Sequence, residues 1–439
     1  LAFPSAIAQL GIMSMGTIDS IMLGHLDVDA LAASALAQTV VWATMSMVGG
    51  IVNGAGPLIA HARGRGDFSL ARRRMGQAFA LALALSPLVA GVWIVSEPIL
   101  KWFGQNPVLS HRAADYLWFQ IPSIFAWLGF QIARDYLMAR GVVWRVVVIV
   151  AAANLINFAA NYALIFGHWG APALGLNGAG IATTIARFAM FTIVAAQILW
   201  VWRKDPPAIV SDENLRRLGW RADGGIRAIV RIGLPVGVIT ALEAWAFQVA
   251  SLSAGWFSTQ ALAAHVIALN LCSLTFMVPL GISSAIATRV GLLLGAGEPE
   301  SAQKSAYIAL AFGGGIMASL GLLLLIFRWQ IPAIYGADEE VVALCASIFP
   351  IAALFQLFDG LQGVGAGIFR GMGRPRPALI FNMVGYYVLG LPLGWFAAVE
   401  LGLGVRGIWW GLCLGLAAVA TSMCVFIWLR GPARGGHFD

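Results

Sequence analysis

Charge is scarce in this chain. Of its 439 residues only 11% are Asp, Glu, Lys or Arg, against about 25% in an ordinary soluble domain. Hydrophobic residues make up 60%, and the mean hydropathy is +0.83. A chain with so few solvated groups cannot coat itself against water, so a soluble fold is excluded. The long apolar runs also lack the period-2 alternation of an outer-membrane barrel. Runs longer than the ~20 residues needed to cross the hydrocarbon core then leave one spanning structure, a helical bundle whose backbone groups are satisfied internally.

Other shortages narrow the function. Cysteine occurs four times, as Cys272, Cys345, Cys413 and Cys424. All lie far apart in apolar runs with no CxxC pair, which points to packing rather than to disulfides or metal binding. No GxxxxGK[ST] loop is present, so ATP does not drive this protein directly. No HExxH or GxSxG suggests an enzyme, and no catalytic residues or cofactor are expected. No signal peptide is visible, and Leu1 already lies inside an apolar run; the natural N-terminus is expected to be missing.

Twelve apolar runs are expected to be helices, over approximately 1–24, 34–60, 76–98, 116–138, 146–166, 177–202, 229–254, 262–292, 306–327, 343–369, 378–397 and 407–429. The net charge of +7 would suggest nucleic acid in a soluble protein. Here 21 of the 27 basic residues fall in the tail and in the loops after even-numbered helices, and four in the opposite loops. That asymmetry excludes a nucleic-acid partner and predicts that both termini and the long loop 203–230 are cytoplasmic. The loop, with Pro206-Pro207 and mixed charge, reads as a linker, with room for an interfacial helix. It divides the chain into bundles at 1–202 and 231–439.

An internal repeat supports that division. Sliding the chain by 231 residues places Pro4 on Pro235, Gly24 on Gly255, Ala30-Leu-Ala-Ala33 on Ala261-Leu-Ala-Ala264 and Gly50-Ile51 on Gly281-Ile282. Each half holds an even number of helices, so the halves are expected to be parallel repeats related by an axis along the membrane normal. Two such six-helix bundles suit an alternating-access transporter better than a channel.

Against this duplicated scaffold the buried acids stand out because they are not duplicated. At the same offset Asp19 meets Ala250 and Glu243 meets Ile12. A carboxylate at bilayer depth costs roughly 2.5–3.5 kcal/mol on insertion scales and defaults to a functional group. Asp135 is the exception, since Arg134 beside it supplies a local ion pair. Asp19 could be a hydrated carboxylate near a helix end, or a protonatable group. Asn157 and Asn161, four apart on one helix face, with Asn154 on a similar stripe, could support it or simply bond between helices. In the second half Glu243 joins a polar stripe of Gln356, Asp359 and Gln362. Two carboxylates with amide oxygens form a hard-oxygen set suited to Na⁺, the metal candidate at Glu243 and Asp359, or to a shared proton; a purely structural pair held by backbone or by Arg187 is the alternative. Gly360, Gly363 and Gly367 read as close helix packing, and His265 as either titrating or packed.

The stretches Asp19-Ser-Ile-Met-Leu-Gly24, Gly170-Ala-Pro-Ala-Leu-Gly175, Gly233-Leu-Pro235 with Glu243, Ala264-His-Val-Ile-Ala-Leu-Asn270, and Asp359 with Arg370-Gly371 resemble the multidrug and toxic compound extrusion (MATE) family, in its bacterial NorM-like branch. The resemblance spans nearly the whole chain, and the order and spacing of the stretches make it specific. It implies an all-α membrane protein with a V-shaped pair of six-helix bundles that exports small organic cations in exchange for Na⁺ or H⁺. It implies cation-site roles for Glu243 and Asp359, and maps the helix 1 aspartate and helix 5 asparagines onto Asp19, Asn157 and Asn161. A multi-pass protein of the bacterial inner membrane, surrounded by lipid and monomeric, is expected. Two other readings stay open. A lipid-linked oligosaccharide flippase of the same superfamily should have a strongly cationic central cavity, whereas these basic residues stay in loops. A non-transporting membrane scaffold should pass neither ions nor drugs.

Overall fold

Local chemistry sets where the helices begin and end. Asp27 precedes α2 (Val28–Asn53) and accepts from the Asp29 amide at 3.1 Å; Ser258 caps a later helix by accepting from the Ala261 amide at 3.0 Å. Such caps satisfy amides that have no partner inside the helix. Gly167, at φ 77°, stops α8 (Val143–Phe166) with a left-handed residue that only glycine adopts without penalty. The structure is a computed structural model that describes residues 1–204, 224–335 and 338–434. Every regular element among them is helical. Most of the expected linker, residues 205–223 with its two prolines, lies outside the described residues.

In chain order the remaining elements are α1 (Ala2–Leu26), α3 (Ala55–Gly64), α4 (Phe68–Ile94), α5 (Ser96–Trp102), α6 (Pro107–Gln120), α7 (Ser123–Ala139) and α9 (Leu176–Lys204). They continue with α10 (Gly225–Gly255), α11 (Thr259–Gly295), α12 (Pro299–Ile326), α13 (Gln330–Ile334), α14 (Glu339–Gly371), α15 (Pro375–Asn382), α16 (Leu391–Val399) and α17 (Val405–Arg430). Among the described residues eleven helical stretches are long and apolar enough to cross a membrane.

Four expectations from hydropathy change, the first being the helix expected over 34–60, which begins at Val28 and is interrupted at Gly54 between α2 and α3. The run expected as one helix over 116–138 is split into α6 and α7 at Ile121–Pro122, because proline lacks the N–H that would continue the ladder. The helices expected from 76 and 306 begin earlier, at Phe68 and Pro299. Their first turns are polar, so hydropathy misses them, yet the helix ladder is internal and runs on through polar residues. The helix expected over 378–397 contains a wide π-type segment, Met383–Gly390. It lies just ahead of Pro392, which offers no N–H to the carbonyl four residues back.

The described chain forms two compact units, one of Ile7–Gly237, the other of Leu1–Ala6 with Val238–Asp439. In the first, α7 is the central helix, buried almost throughout and packed on α9, α4 and α3. In the second, α14 is central, packed on α11, α12 and α17. Both unit boundaries fall inside a helix, after Ala6 in α1 and after Gly237 in α10, at positions one repeat length apart. Within the first unit a Cβ on Gly50 would strike the Gly237 backbone; within the second, one on Gly281 would strike the Ala6 backbone. The 231-residue offset carries one crossing onto the other. Glycine recurs at 50 and 281 because two helix backbones meet there with no room for a side chain.

Candidate functional site

Two polar clusters sit inside these apolar helices, one in each unit. In the first, α1 contributes Asp19, which is 4% exposed. Asn161 of α8 donates from Nδ2 to Asp19 Oδ1 at 2.5 Å and to Asn157 Oδ1 at 3.2 Å. Thr183 of α9 donates from Oγ1 to Asp19 Oδ2 at 2.9 Å. Both carboxylate oxygens are therefore held by neutral donors from two other helices. Asn157 and Asn161 are fully buried, and among the described residues Asn161 Oδ1 has no hydrogen-bond partner. The cluster thus keeps an unused acceptor.

Asn154 does not join it. Its amide nitrogen donates to the Gly11 carbonyl at 2.8 Å and the Val150 carbonyl at 2.9 Å, pinning α8 to α1 where Gly11 lets Val150 approach. Arg187, one turn beyond Thr183, donates to Ser123 at 3.0 Å and lies over the Trp127 ring at 5.6 Å. Arg134 and Asp135 pair with each other at 3.1 Å, as their adjacency suggested.

The second cluster occupies a seam between two apolar cores. One core uses Ala246 on α10, Cys272 on α11, Phe355 on α14 and Tyr386 on the π segment. The other uses Ile239, Ile282, Val364 and Ala378 on α10, α11, α14 and α15. On every one of these lines the polar residue falls between the two: Glu243, Thr275, Asp359 with Gln362, and Asn382. Gln362 donates from Nε2 both to Glu243 Oε1 and to Asn382 Oδ1, the latter at 3.2 Å. Asn382 in turn donates to the Ala378 carbonyl at 2.8 Å. Asp359 is 7% exposed and lies within electrostatic reach of Glu243. Tyr387 donates to the Leu242 carbonyl at 2.9 Å, tying the π segment to α10 beside Glu243.

The expected stripe on α14 divides. Gln362 belongs to the Glu243 cluster, while Gln356 turns to Thr275, donating at 2.6 Å, with its own carbonyl oxygen unpartnered. Thr183, Asn382 and Thr275 escaped the sequence reading. Asn382 was findable, being a lone amide in an apolar run; a threonine so often bonds its own helix that Thr183 and Thr275 carried no signal.

Among the described residues none of Asp19, Glu243 and Asp359 forms an ion pair. Nor do three or more His, Cys, Asp or Glu side chains gather there, so any cation at the second cluster would be held by two carboxylates completed with amide or hydroxyl oxygens. His265 is fully buried, with Ser251 at 3.0 Å from Nε2. All four cysteines are free.

Long apolar helices and the buried carboxylates of Asp19 and Glu243, held by neutral donors, mark a multi-pass membrane protein. The MatE family model matches residues 4–163 and 235–396, two blocks that begin one repeat length apart, and the chain belongs to that family, whose members are transporters rather than enzymes. It is 34% identical to a "Probable multidrug resistance protein NorM" of Mesorhizobium japonicum, over 100% of this chain and 95% of the relative. It is also 34% identical to the "Multidrug resistance protein NorM" of Burkholderia vietnamiensis, over 96% and 91%. In fold it is similar to a eukaryotic MATE transporter (TM-score 0.88, 21% identity, covering 99% of this chain and 95% of that one). A Vibrio cholerae MATE transporter matches at TM-score 0.88 and 18% identity, over 98% and 96%.

Proposed function

We propose that this protein is a secondary active multidrug efflux antiporter of a bacterial inner membrane, working as a monomer with both termini in the cytoplasm. It exports organic cations in exchange for Na⁺ or H⁺ by alternating access. The observation that carries this reading is the set of buried carboxylates, Asp19, Glu243 and Asp359, that among the described residues have no cationic side chain within ion-pair distance. Neutral amides and a hydroxyl steady the oxygens of Asp19 and Glu243 without forming an ion pair. A mobile cation or proton supplies what the protein withholds.

Coupling follows from competition. A proton or Na⁺ on the carboxylates removes the charge that an organic cation needs, so the two occupy the protein alternately. Each favours the arrangement it binds better, and only that difference in affinity can shift the equilibrium. The relatives named as multidrug resistance proteins support the drug-efflux part. The test is ethidium efflux from proteoliposomes holding the full chain, with Na⁺ and pH gradients imposed separately. Efflux under one gradient and not the other identifies the coupling ion; tight vesicles that show no gradient-driven flux under either would end the antiporter reading.

A further inference from the structure

α8 and α9 carry no Asp or Glu over their whole length, yet the open groove between them ends in a cation. The groove holds about 460 Å³. Its α8 wall is Arg145, Val148, Ile149 and Ala152, an i, i+3, i+4, i+7 face; the α9 wall includes Gln197 and Trp200. Val148 is 66% exposed and Trp200 42%, so these apolar surfaces face outward rather than into the unit. Arg145 donates from Nη1 to Gln197 Oε1 at 3.1 Å, and its guanidinium lies 4.3 Å from the Trp200 ring centre. Gln197 and Trp200 thereby hold the guanidinium plane at the mouth of the groove and use one of its five N–H donors. Arg145 has no carboxylate partner among the described residues. Arg203, exposed and one turn beyond Trp200, adds a second positive charge at the same end.

We propose that this groove binds an anionic phospholipid, with the headgroup phosphate on Arg145 and an acyl chain along Val148 and Ala152. Charge complementarity selects the occupant. An apolar channel closed by a fixed guanidinium that has no carboxylate partner among the described residues repels the organic cations proposed as cargo, and a basic pocket between spanning helices on the cytoplasmic side suits an anionic headgroup. Arg suits phosphate because its fork donates two parallel bonds. The leaflet rests on the cytoplasmic placement of the 140–145 loop proposed above; the lipid chemistry does not.

The test is native mass spectrometry of the full chain in detergent, with phosphatidylglycerol or phosphatidylcholine of the same acyl chains added. Phosphatidylglycerol should be retained about fivefold more than phosphatidylcholine, the scale of one basic residue at an anionic surface. Arg145→Gln should remove that preference, and Arg145→Lys should keep part of it, at unchanged thermal stability. A photoreactive acyl-chain analogue of phosphatidylglycerol should label the peptides holding Val148–Ala152 and Ile193–Gln197. Equal retention of both lipids by the wild type, full preference in Arg145→Gln, or label spread evenly over all spans would each overturn the proposal. Detergent has no leaflets, so a wrong topology would show only in side-selective labelling of Val142→Cys in vesicles, leaving the binding result intact.

Discussion

Asn161 lies 142 residues from Asp19 along the chain and 2.5 Å from it in space, its amide nitrogen donating to the aspartate Oδ1. With Thr183 on the other oxygen at 2.9 Å, three helices of one unit converge on a single carboxylate.

That convergence separates charge from geometry. Asp19→Asn keeps the size of the group but removes its charge, and ethidium efflux in proteoliposomes should fall more than about tenfold. Thr183→Val keeps the charge and removes one hydrogen bond, with a net effect of about 1 kcal/mol, so efflux should fall only about fivefold. Equal losses in the two variants would show that the donors matter as much as the charge.

In the second unit the same logic applies to two acids. Glu243→Gln and Asp359→Asn should each abolish ion-driven efflux while the purified protein keeps its elution volume and melting temperature. Gln362→Ala should weaken efflux without abolishing it, because Gln362 orients Glu243 but carries no charge. Wild-type rates in either acid variant would remove those residues from the coupling site.

The glycine crossings make a stability prediction. Gly50→Val and Gly281→Val each force a side chain into a neighbouring backbone, an overpacking cost of about 1–3 kcal/mol, and should lower the melting temperature in detergent by similar amounts. Gly16→Ala is the contrast. Nothing lies near its Cβ position, and alanine is the better helix former by about 1 kcal/mol, so the melting temperature should hold or rise.

Outside the spans, pH should act on the clasp between α5 and α6. Glu97 accepts from Lys101 at 2.6 Å and is 3.1 Å from His111 Nδ1. The hydrogen bond from Lys101, then that from His111, hold Glu97 below its ordinary range, and the Glu97 contact followed by Asp115 raises His111. The raised histidine stabilises the clasp below its unfolded pKa of about 6.5 and stops doing so as pH rises through its folded value. The lowered glutamate contributes above its unfolded pKa of about 4.3 and loses that as pH falls through its folded value. Hydrogen exchange of residues 96–112, corrected for intrinsic rates, should show more protection at pH 5.5 than at pH 8.5. The difference should vanish in His111→Gln; if it persists there, the clasp is not the cause.

Helix type and the approximate spans were legible because hydropathy reports lipid exposure directly, and the isolated acids were legible because an ionisable residue in an apolar run stands out by composition alone. Helix ends at Phe68 and Pro299 were not, since a polar first turn looks like a loop until the backbone ladder is seen. Nor was the parting of Gln356 from Gln362. Both lie on the stripe with Asp359, and only the position of Thr275 on another helix takes one of them away.

The amino-acid order alone determined an all-helical membrane chain, a 231-residue duplication, and three lone carboxylates within it, because these rest on composition and spacing along one dimension. Which groups meet those carboxylates was decided only in three dimensions. Thr183 on Asp19, Asn382 on Gln362, and the seam between two apolar cores that holds Glu243 all depend on how helices distant in the chain are rotated about their axes, and rotation is set by packing against neighbours rather than by the helix's own residues.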